Sequence, residues 1–349
     1  MTSHELSVAL KRHILDEGFD AVGIAATGRL DRDTAALDAW LDAGHHATLE
    51  WMQRYRDTRA DPTRLLPGCR SVAVVAMSYW PGEEEARTPP GHARVALYAR
   101  GRDYHKVMGK RLKRVGAWLE AETGAATRTF VDTGPVLERG WAQRAGLGWI
   151  GKNANLLTRA MGSWLLLGEL LTTAELDPDD GPHADHCGTC TACVEACPTD
   201  AIVADGVVDS RACISYWTIE HRGEVPEEKR AGNADWIFGC DICQRVCPWN
   251  ETHAHPVDAE RFERRDDLRG LDPLAILAMD EATFRATYSG TPLMRAKWEG
   301  MRRNACIVLG NRRDPAALEL LHAAAREDPD PVVRSHAAWA IERISGASG

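Results

Sequence analysis

The sequence predicts three successive parts: an N-terminal domain of mixed sheet and helix in the α/β or α+β class (residues 1–180), a cysteine-rich module (181–255) and a C-terminal region of HEAT-like helical repeats (256–349). Three observations support this division. Short apolar runs alternate with helical patterns over about the first 175 residues. Eight of the ten cysteines lie between Cys187 and Cys247, and similar helical segments recur near the C-terminus.

The N-terminal domain is expected to begin with a helix, because Thr2-x-x-Glu5 has the spacing of a capping box. Apolar runs between turn-forming residues predict buried strands over Ala21 to Ala25, Ser71 to Met77, Thr127 to Val131 and Trp164 to Leu171. Apolar side chains at helical spacing predict a helix over Tyr104 to Glu122 and another from about Val136 to Ala145. Strands that alternate with helices indicate the α/β or α+β class.

The composition is that of an ordinary folded chain, with 44% hydrophobic and 27% charged residues and a formal net charge of −9. Global disorder is therefore excluded. No apolar run approaches the roughly 18 residues that a membrane helix needs, and the first ten residues lack the pattern of a secretory signal. We expect a cytoplasmic protein without a membrane partner.

The clustered cysteines indicate bound metal, since disulfide bonds are rare in a reducing compartment. The first run, Cys187-x2-Cys190-x2-Cys193-x3-Cys197-Pro198, has the spacing of iron–sulfur ligands. In proteins with two clusters, the fourth cysteine of such a run serves the second cluster.

The second run, Cys240-x2-Cys243-x3-Cys247-Pro248, lacks a first cysteine at the usual spacing. Cys213, 27 positions before Cys240, is the nearby candidate to replace it. Exchange of ligands between the runs assigns one [4Fe-4S] cluster to Cys187, Cys190, Cys193 and Cys247. It assigns the other to Cys197, Cys213, Cys240 and Cys243, so that all eight thiolates are used.

Two four-cysteine zinc sites are the alternative, because such sites also use C-x2-C pairs. The longer run is much less natural for tetrahedral zinc. Cys69 and Cys306 lie beside or within apolar patterns and are expected to be buried core thiols. Two clusters in one module carry electrons and need a reacting centre elsewhere, so the sequence favours net reduction chemistry.

The C-terminal region contains two similar segments, residues 303–309 and 334–340, in which an arginine is followed by small and apolar residues. Asp314-Pro315 and Asp328-Pro329 lie between them, and each is expected to precede a new helix. The pattern predicts about one and a half HEAT repeats. A plain helical hairpin is the alternative.

Positive charge is concentrated in two segments of this acidic chain. Residues 94–114 contain eight Lys or Arg and one acid, and residues 291–313 contain six and one. Such segments are either solvated helix faces or a surface for a polyanion. We favour a polyanionic substrate bound by Arg295, Lys297, Arg302, Arg303, Arg312 and Arg313.

A series of motifs occurs in a fixed order along the chain. It comprises residues 98–105 (YARGRDYH), 131–135 (VDTGP), 148–153 (GWIGKN), 162–164 (GSW), the first cysteine run, 213–216 (CISY) with 218–220 (TIE), and 239–244 (GCDICQ). Together these motifs resemble the epoxyqueuosine reductase family over essentially the whole chain.

The resemblance implies two [4Fe-4S] clusters, a cobalamin, and the last step of queuosine synthesis, in which epoxyqueuosine at the wobble position of a tRNA anticodon is reduced to queuosine. Cobalamin would be the reacting centre, the clusters its electron supply and the basic helical tail the tRNA platform. Asp103-x-His105-x-x-x-Gly109 is one residue longer than the motif whose histidine ligates cobalt. A base-off cobalamin without a protein histidine is therefore expected.

Reduction of an epoxide to an alkene and water needs two electrons and two protons. Asp132 is the candidate proton donor, because it ends a predicted strand and matches the family's proposed donor. Burial against an apolar corrin would raise its pKa. Capping of the following helix is the alternative role. Tyr104 and His105 are further candidates for substrate contact or proton supply.

For corrin binding, the resemblance carries over Arg59, Lys152, Asn153, Ser163, Ser215 and Glu220. We expect a monomer that receives electrons from an external low-potential donor. Three other functions stay open at this point. One is reduction of a small molecule by a related cobalamin and iron–sulfur enzyme, as in reductive dehalogenases. Another is a ferredoxin-type electron carrier without chemistry of its own, and the third is a non-catalytic nucleic-acid-binding protein in which the clusters are structural.

Overall fold

The computed structural model describes residues 1–346, so residues 347–349 of the predicted C-terminal region lie outside the described residues. In chain order, the N-terminal elements are α1 (Ser3–Asp16), β1 (Ala21–Ala26), α2 (Asp31–Asp42), α3 (Glu50–Arg54), α4 (Arg56–Arg59), β2 (Ser71–Ser78), α5 (Glu83–Ala86), β3 (Arg94–Val95), α6 (Tyr104–Thr123), β4 (Thr127–Phe130), α7 (Glu138–Arg144), β5 (Trp149–Ile150), β6 (Leu156–Leu157) and β7 (Leu165–Thr172). The predicted N-terminal strands and helices are confirmed, with ends that differ by one or two residues. Thr2 caps α1 in the predicted capping box.

The central sheet of this part has the strand order β1-β2-β7-β4. Each neighbouring pair is antiparallel. Of the two predicted classes, this pairing is that of an α+β fold, because α/β folds are built on parallel strands.

The sheet has a hydrophobic core on each face, since alternate side chains of a strand point to opposite faces. Ala73, Val75 and Met77 of β2 pack in the core that contains α1 and α6. Val72 and Val74 pack in the core that contains Trp141 of α7. The fully buried residues of β2 therefore hold helices on both sides of the sheet.

The cysteine-rich module consists of short elements joined by loops. They are α8 (Ala192–Glu195), β8 (Ile202–Ala204), β9 (Val207–Val208), α9 (Glu227–Arg230), β10 (Trp236–Phe238), α10 (Ile242–Arg245) and α11 (Pro248–His253). A π-helical turn lies at Tyr216–Glu220. Strand β10 pairs in parallel with β3, which joins this module to the N-terminal part.

The C-terminal elements are α12 (Pro273–Ala278), α13 (Glu281–Tyr288), α14 (Lys297–Arg312), α15 (Leu318–Glu327) and α16 (Pro331–Ser345). Helix α14 is buried over the ten residues from Met301 to Gly310, because it packs against α12, α16 and β10. Asp314 and Asp330 cap the helical segments that follow them. In residues 1–346, no helix is long and apolar enough to cross a membrane.

The hydrophobic cores do not stop at the predicted domain boundaries. One core combines Val95 and Ala99 with residues of β10 and with α14 and α16. Another combines the α6 face of the sheet with Phe262. The boundaries at 180/181 and 255/256 stay predictions, and the three parts pack directly on one another.

Candidate active site

A cavity of about 690 Å³ lies between the N-terminal part and the cysteine-rich module. Tyr98 and Tyr104 line it from the N-terminal part. On the opposite side it is lined by the cysteines Cys197, Cys213, Cys240 and Cys243. Most of the remaining lining is apolar, including Trp40, Trp51, Met52, Leu166 and Ile219. We call this space the central cavity.

A smaller cavity of about 110 Å³ lies beside the central cavity. Its lining contains the other four clustered cysteines, Cys187, Cys190, Cys193 and Cys247. Leu157 and Trp249 contribute apolar walls. The fold thus brings together the same two sets of four thiols that ligand exchange between the runs predicts.

The thiols of the central cavity lie in a strongly desolvated environment. Burial raises the pKa of Cys213 and of Cys240, and it raises the pKa of Cys243 to about 12. Cys69 and Cys306 lie apart from both sets and are buried, as predicted for core thiols. Because metal ligands must be thiolates, positive charge from bound metal would be needed to ionise the clustered thiols.

Asp132 lies in the loop between β4 and α7, with a positive φ of 55° that is uncommon for a residue other than glycine. Tyr104 Oη donates a 2.8 Å hydrogen bond to Asp132 Oδ2. His105 Nε2 lies 3.1 Å from the same oxygen, and His105 Nδ1 lies 2.7 Å from Asp103 Oδ1. Two side chains from the first turn of α6 therefore fix the carboxyl group of Asp132.

These contacts decide where the proton resides. Burial would raise the pKa of Asp132, but the hydrogen bonds with His105 and Tyr104 outweigh it and lower the pKa. Burial would lower the pKa of His105, but its contacts with Asp103 and Asp132 raise it to about 9. In the protein alone the pKa of Asp132 thus lies below its ordinary value, and the rise expected on burial against a corrin stays a prediction. At neutral pH the proton is on His105, and Asp132 is its ionised partner.

Two further carboxyl groups lie behind Asp132, and the sequence analysis did not select them. Glu138 Oε1 accepts a 2.5 Å hydrogen bond from the backbone N–H of Asp132. Glu169 lies on β7 and is fully buried. A glutamate inside an otherwise apolar strand was the available signal for Glu169, and no comparable signal marks Glu138.

Three of the six predicted corrin-binding residues, Asn153, Ser215 and Glu220, line the central cavity. Lys152 lines the smaller cavity. Arg59 and Ser163 line neither cavity.

The two residues outside the cavity linings have other contacts. Arg59 is buried and donates to the carbonyl oxygen of Val136, 3.2 Å away, so it supports the Asp132 loop from behind. Ser163 Oγ accepts a 2.9 Å hydrogen bond from Asn250. Gln244, which the sequence analysis did not select, donates to the Ser163 carbonyl and lines the central cavity. These contacts join loops that are far apart in the sequence, so no local sequence motif indicates them.

The six basic residues predicted to bind a polyanion do not form one surface. Arg302 and Arg303 are buried, with 8% and 2% of their surface exposed. Arg302 pairs with Asp328, and Arg303 donates to the backbone carbonyls of Trp217, His221 and Gly223. Their prediction as polyanion contacts is corrected, because both side chains are buried inside the fold.

The other four basic residues are accessible to different degrees. Lys297 and Arg313 are exposed. Arg295 is exposed and pairs with Glu220 at 2.6 Å, on the wall of the central cavity. Arg312 is half-buried and pairs with Asp235 at 2.6 Å. Three exposed cations therefore remain from the predicted set.

Three family models match parts of the chain. They describe a 4Fe-4S double cluster binding domain over residues 186–250, the epoxyqueuosine reductase QueG over residues 59–133, and HEAT repeats over residues 293–348. The first match supports two clusters in the cysteine-rich module. The third supports the prediction of HEAT-like helices.

Bacterial relatives match most of the chain. The epoxyqueuosine reductase of Vibrio cholerae is 41% identical over 347 residues, which are 98% of this chain and 93% of the relative. That of Gloeobacter violaceus is 45% identical over 306 residues, which are 86% of this chain and 94% of the relative.

Solved structures of similar proteins share the fold. A crystal structure of an epoxyqueuosine reductase with an epoxyqueuosine-modified stem loop of tRNA-Tyr superimposes with a TM-score of 0.92 at 28% identity, covering 98% of this chain and 91% of the other. An epoxyqueuosine reductase from Bacillus subtilis, whose catalytic aspartate loop is swung out of the active site, gives a TM-score of 0.89 at 28% identity with the same coverage.

Proposed function

Because this chain belongs to the epoxyqueuosine reductase family, it is an oxidoreductase that reduces epoxyqueuosine in tRNA to queuosine, and we propose that the reduction takes place in the central cavity. One observation carries this proposal. The central cavity is bounded on one side by Tyr104, which holds Asp132, and on the other by four clustered thiols. Tyr104 therefore links the carboxyl group of Asp132, which is not itself among the lining residues, to the space that the clustered thiols border.

The reaction sets the requirements of the site. The epoxide oxygen leaves as water and the two carbons become an alkene, so each turnover consumes two electrons and two protons. The electrons come from an external low-potential donor through the two [4Fe-4S] clusters. The protons must come from groups that can release them beside the leaving oxygen at neutral pH.

We assign the first proton to the pair of His105 and Asp132. His105 holds the proton at neutral pH, because its pKa is raised to about 9. Asp132 Oδ2 receives it across the 3.1 Å contact as the negative charge of the leaving oxygen develops. Asp132 then acts as the acid that touches the substrate, and Tyr104 orients its carboxyl group.

We assign the two clusters to the two sets of four thiols. Cys187, Cys190, Cys193 and Cys247 hold the cluster of the smaller cavity, and Cys197, Cys213, Cys240 and Cys243 hold the cluster that borders the central cavity. The second cluster is then the one from which electrons enter the central cavity. The ligand atoms around the two cavities fit two iron–sulfur clusters, because eight thiols and few other metal ligands line them.

The central cavity also fits a corrin. It is large, mostly apolar and lined by a few polar side chains, which is the usual character of a cofactor site. Asn153, Ser215 and Glu220 are the polar residues that would hold the ring and its side chains. When bound, cobalamin supplies a low-valent cobalt, a strong nucleophile and reductant. The tyrosines and tryptophans of the wall would exclude water from it.

The tRNA is expected to reach the mouth of the cavity over the exposed cations Arg295, Lys297 and Arg313. Phosphate contacts fix the position of an RNA, and the site itself selects the base. Arg295 is well placed for this, because its partner Glu220 lines the cavity. We propose that the protein acts as a monomer on its tRNA.

The test is incubation of anaerobically prepared protein, with and without added cobalamin, with epoxyqueuosine-containing tRNA and a low-potential reductant. Nucleoside mass analysis should show queuosine only when cobalamin is present. Conversion of an aryl halide at a comparable rate would favour the dehalogenase alternative. Clusters that are reduced and reoxidised without any queuosine would favour the electron-carrier alternative.

A further inference from the structure

A pair of carboxyl groups, the fully buried Glu169 and the half-buried Glu138, lies behind the Asp132 loop and has no role in the first proton transfer. Glu169 is on β7, opposite Val74 of β2 and Phe130 of β4, near the centre of the sheet. Both of its carboxyl oxygens are buried, and no N–H or hydroxyl donor in residues 1–346 reaches them; the polar group beside them is the carboxyl of Glu138, which can bond to them only if one of the two is protonated. A buried charge without a partner is costly, so this group needs an explanation.

The direction of Glu169 follows from the strand. Leu167 and Leu171, two residues away on either side, pack in the core on the α7 face of the sheet. Side chains two residues apart in a strand share a face, so Glu169 also points toward α7. Its carboxyl group lies beside that of Glu138, the first residue of α7.

Glu138 connects this buried group to the catalytic loop. Its Oε1 accepts the backbone N–H of Asp132, whose positive φ of 55° makes the loop conformation uncommon. Charged or titratable groups from several elements surround Glu138. They are Asp132, Arg139, His105, Arg59 and Tyr104.

Two protons are needed per turnover, and the pair of His105 and Asp132 holds only one. We propose that Glu138 and Glu169 together store the second proton and return it to Asp132 after the first has left with the substrate oxygen. This inference rests on the proposed function. The proton balance closes, because one proton from each pair and two electrons convert the epoxide to an alkene and water.

The protonation states agree with this storage role. Burial and the neighbouring carboxyl groups hold the pKa of Glu169 well above its usual range. Burial and the charge of Asp132 raise the pKa of Glu138 to about 8. Both causes disfavour two negative charges in one buried space, so the pair keeps at least one proton at neutral pH. Glu138 and Glu169 act through Asp132 and are positioning residues for the proton.

The first experiment measures the stored proton without any reaction. Infrared spectroscopy of the wild type at neutral pH is expected to show the carbonyl stretch of a protonated carboxyl group. The signal should be reduced in Glu169→Gln, missing in the double variant Glu138→Gln/Glu169→Gln, and unchanged in Glu122→Gln, a control at an exposed position of α6. Absence of the signal in the wild type, or its full persistence in the double variant, overturns the proposal.

The second experiment measures the pH profile of single-turnover queuosine formation. Glu169→Gln should slow the reaction by about tenfold to a hundredfold, with a loss that grows as the pH rises. A structural role predicts lower thermal stability with an unchanged profile. A wild-type rate and profile in Glu169→Gln also contradicts the proposal. If Glu169→Gln does not fold, Glu138→Gln should show the same change in the pH profile of the rate. An unchanged pH profile in Glu138→Gln would then contradict the proposal.

The two experiments separate this inference from the proposed function. If the wild type forms no queuosine, the proposed function fails, while the infrared measurement still decides whether the pair stores a proton. If the wild type forms queuosine and Glu169→Gln matches it at every pH, the function stands and the storage role is wrong.

Discussion

The imidazole Nε2 of His105 lies 3.1 Å from Oδ2 of Asp132, and this contact reverses the proton assignment that Asp132 alone would suggest. The histidine carries the proton and the aspartate is ionised, because each charge stabilises the other. The proposed donor is therefore a pair of residues, one from the first turn of α6 and one from the loop after β4.

The pair predicts how the reaction depends on pH. Its proton is present below the folded-state pKa of His105, about 9, and is lost as the pH rises through that value. Queuosine formation should therefore fall above about pH 9. Protonated His105 also stabilises the fold, because its pKa is raised above the ordinary value. This stabilisation is likewise lost as the pH rises through the folded-state pKa.

The variant His105→Gln should be slower and should lose this alkaline decrease, because glutamine keeps a hydrogen bond but holds no titrating proton. His322→Gln, at an exposed position of α15, is the matched control. The rate of queuosine formation across the pH range is the measurement. If the rate of queuosine formation in His105→Gln still falls at the same alkaline pH as in the wild type, His105 is not part of the donor pair.

The cluster assignment predicts a partial loss of metal in Cys213→Ala. This variant should lose about half of the iron and acid-labile sulfide, because only one set of ligands is broken. Cys69→Ala removes a buried thiol outside both sets and should keep the full content. Full iron in Cys213→Ala would exclude Cys213 as a ligand, and zinc in the wild type would overturn the whole cluster assignment.

The exposed cations predict a salt-dependent contact with tRNA. Lys297→Glu and Arg313→Glu should each weaken tRNA binding and reduce the slope of log affinity against log salt by about 1. Arg326→Glu makes a charge change on α15, away from this surface, and should have a smaller effect. Binding measured at several salt concentrations tests this. Equal slopes in all variants would mean that the RNA lies elsewhere.

Arg303 should affect stability rather than RNA binding. Arg303→Met removes the donor from the buried carbonyl of Trp217 and from the part-buried carbonyls of His221 and Gly223, which costs about 1–3 kcal/mol. Urea unfolding should show this loss, and Arg326→Met, which changes an exposed arginine, should stay within about 0.5 kcal/mol of the wild type. A stable Arg303→Met protein with weakened tRNA binding would restore Arg303 as an RNA contact.

Local patterns explain which parts of the fold were predictable. The strand at Ser71–Ser78 and the helix at Tyr104–Thr123 agree with their predicted ranges to within one residue, because a fully buried strand leaves a continuous apolar run and an amphipathic helix leaves a periodic one. The spacing of the cysteines predicts one group directly, since Cys187, Cys190 and Cys193 lie within a few residues. The other group joins distant cysteines, and it follows from the exchange of ligands in two-cluster modules. The antiparallel order of the sheet depends on long-range pairing, which no local pattern encodes.

The site was less predictable where function depends on contacts between distant segments. The pKa of Asp132 is lowered by residues of another element, and that contact is not visible in its own motif. The burial of Arg302 and Arg303 is hidden for the same reason, because a basic run looks the same on a surface and in a core. The proton path through Glu138 and Glu169 likewise exists only once β7 and α7 are packed together.

The most direct test of the central claim is single-turnover queuosine formation by Asp132→Asn. The asparagine has almost the same shape but holds no transferable proton, so we expect product formation to fall by about a hundredfold to ten-thousandfold. Iron, sulfide and bound cobalamin should match the wild type in the same samples. Wild-type rates in this variant would contradict the claim that the proton and the electrons meet beside Asp132 in the central cavity.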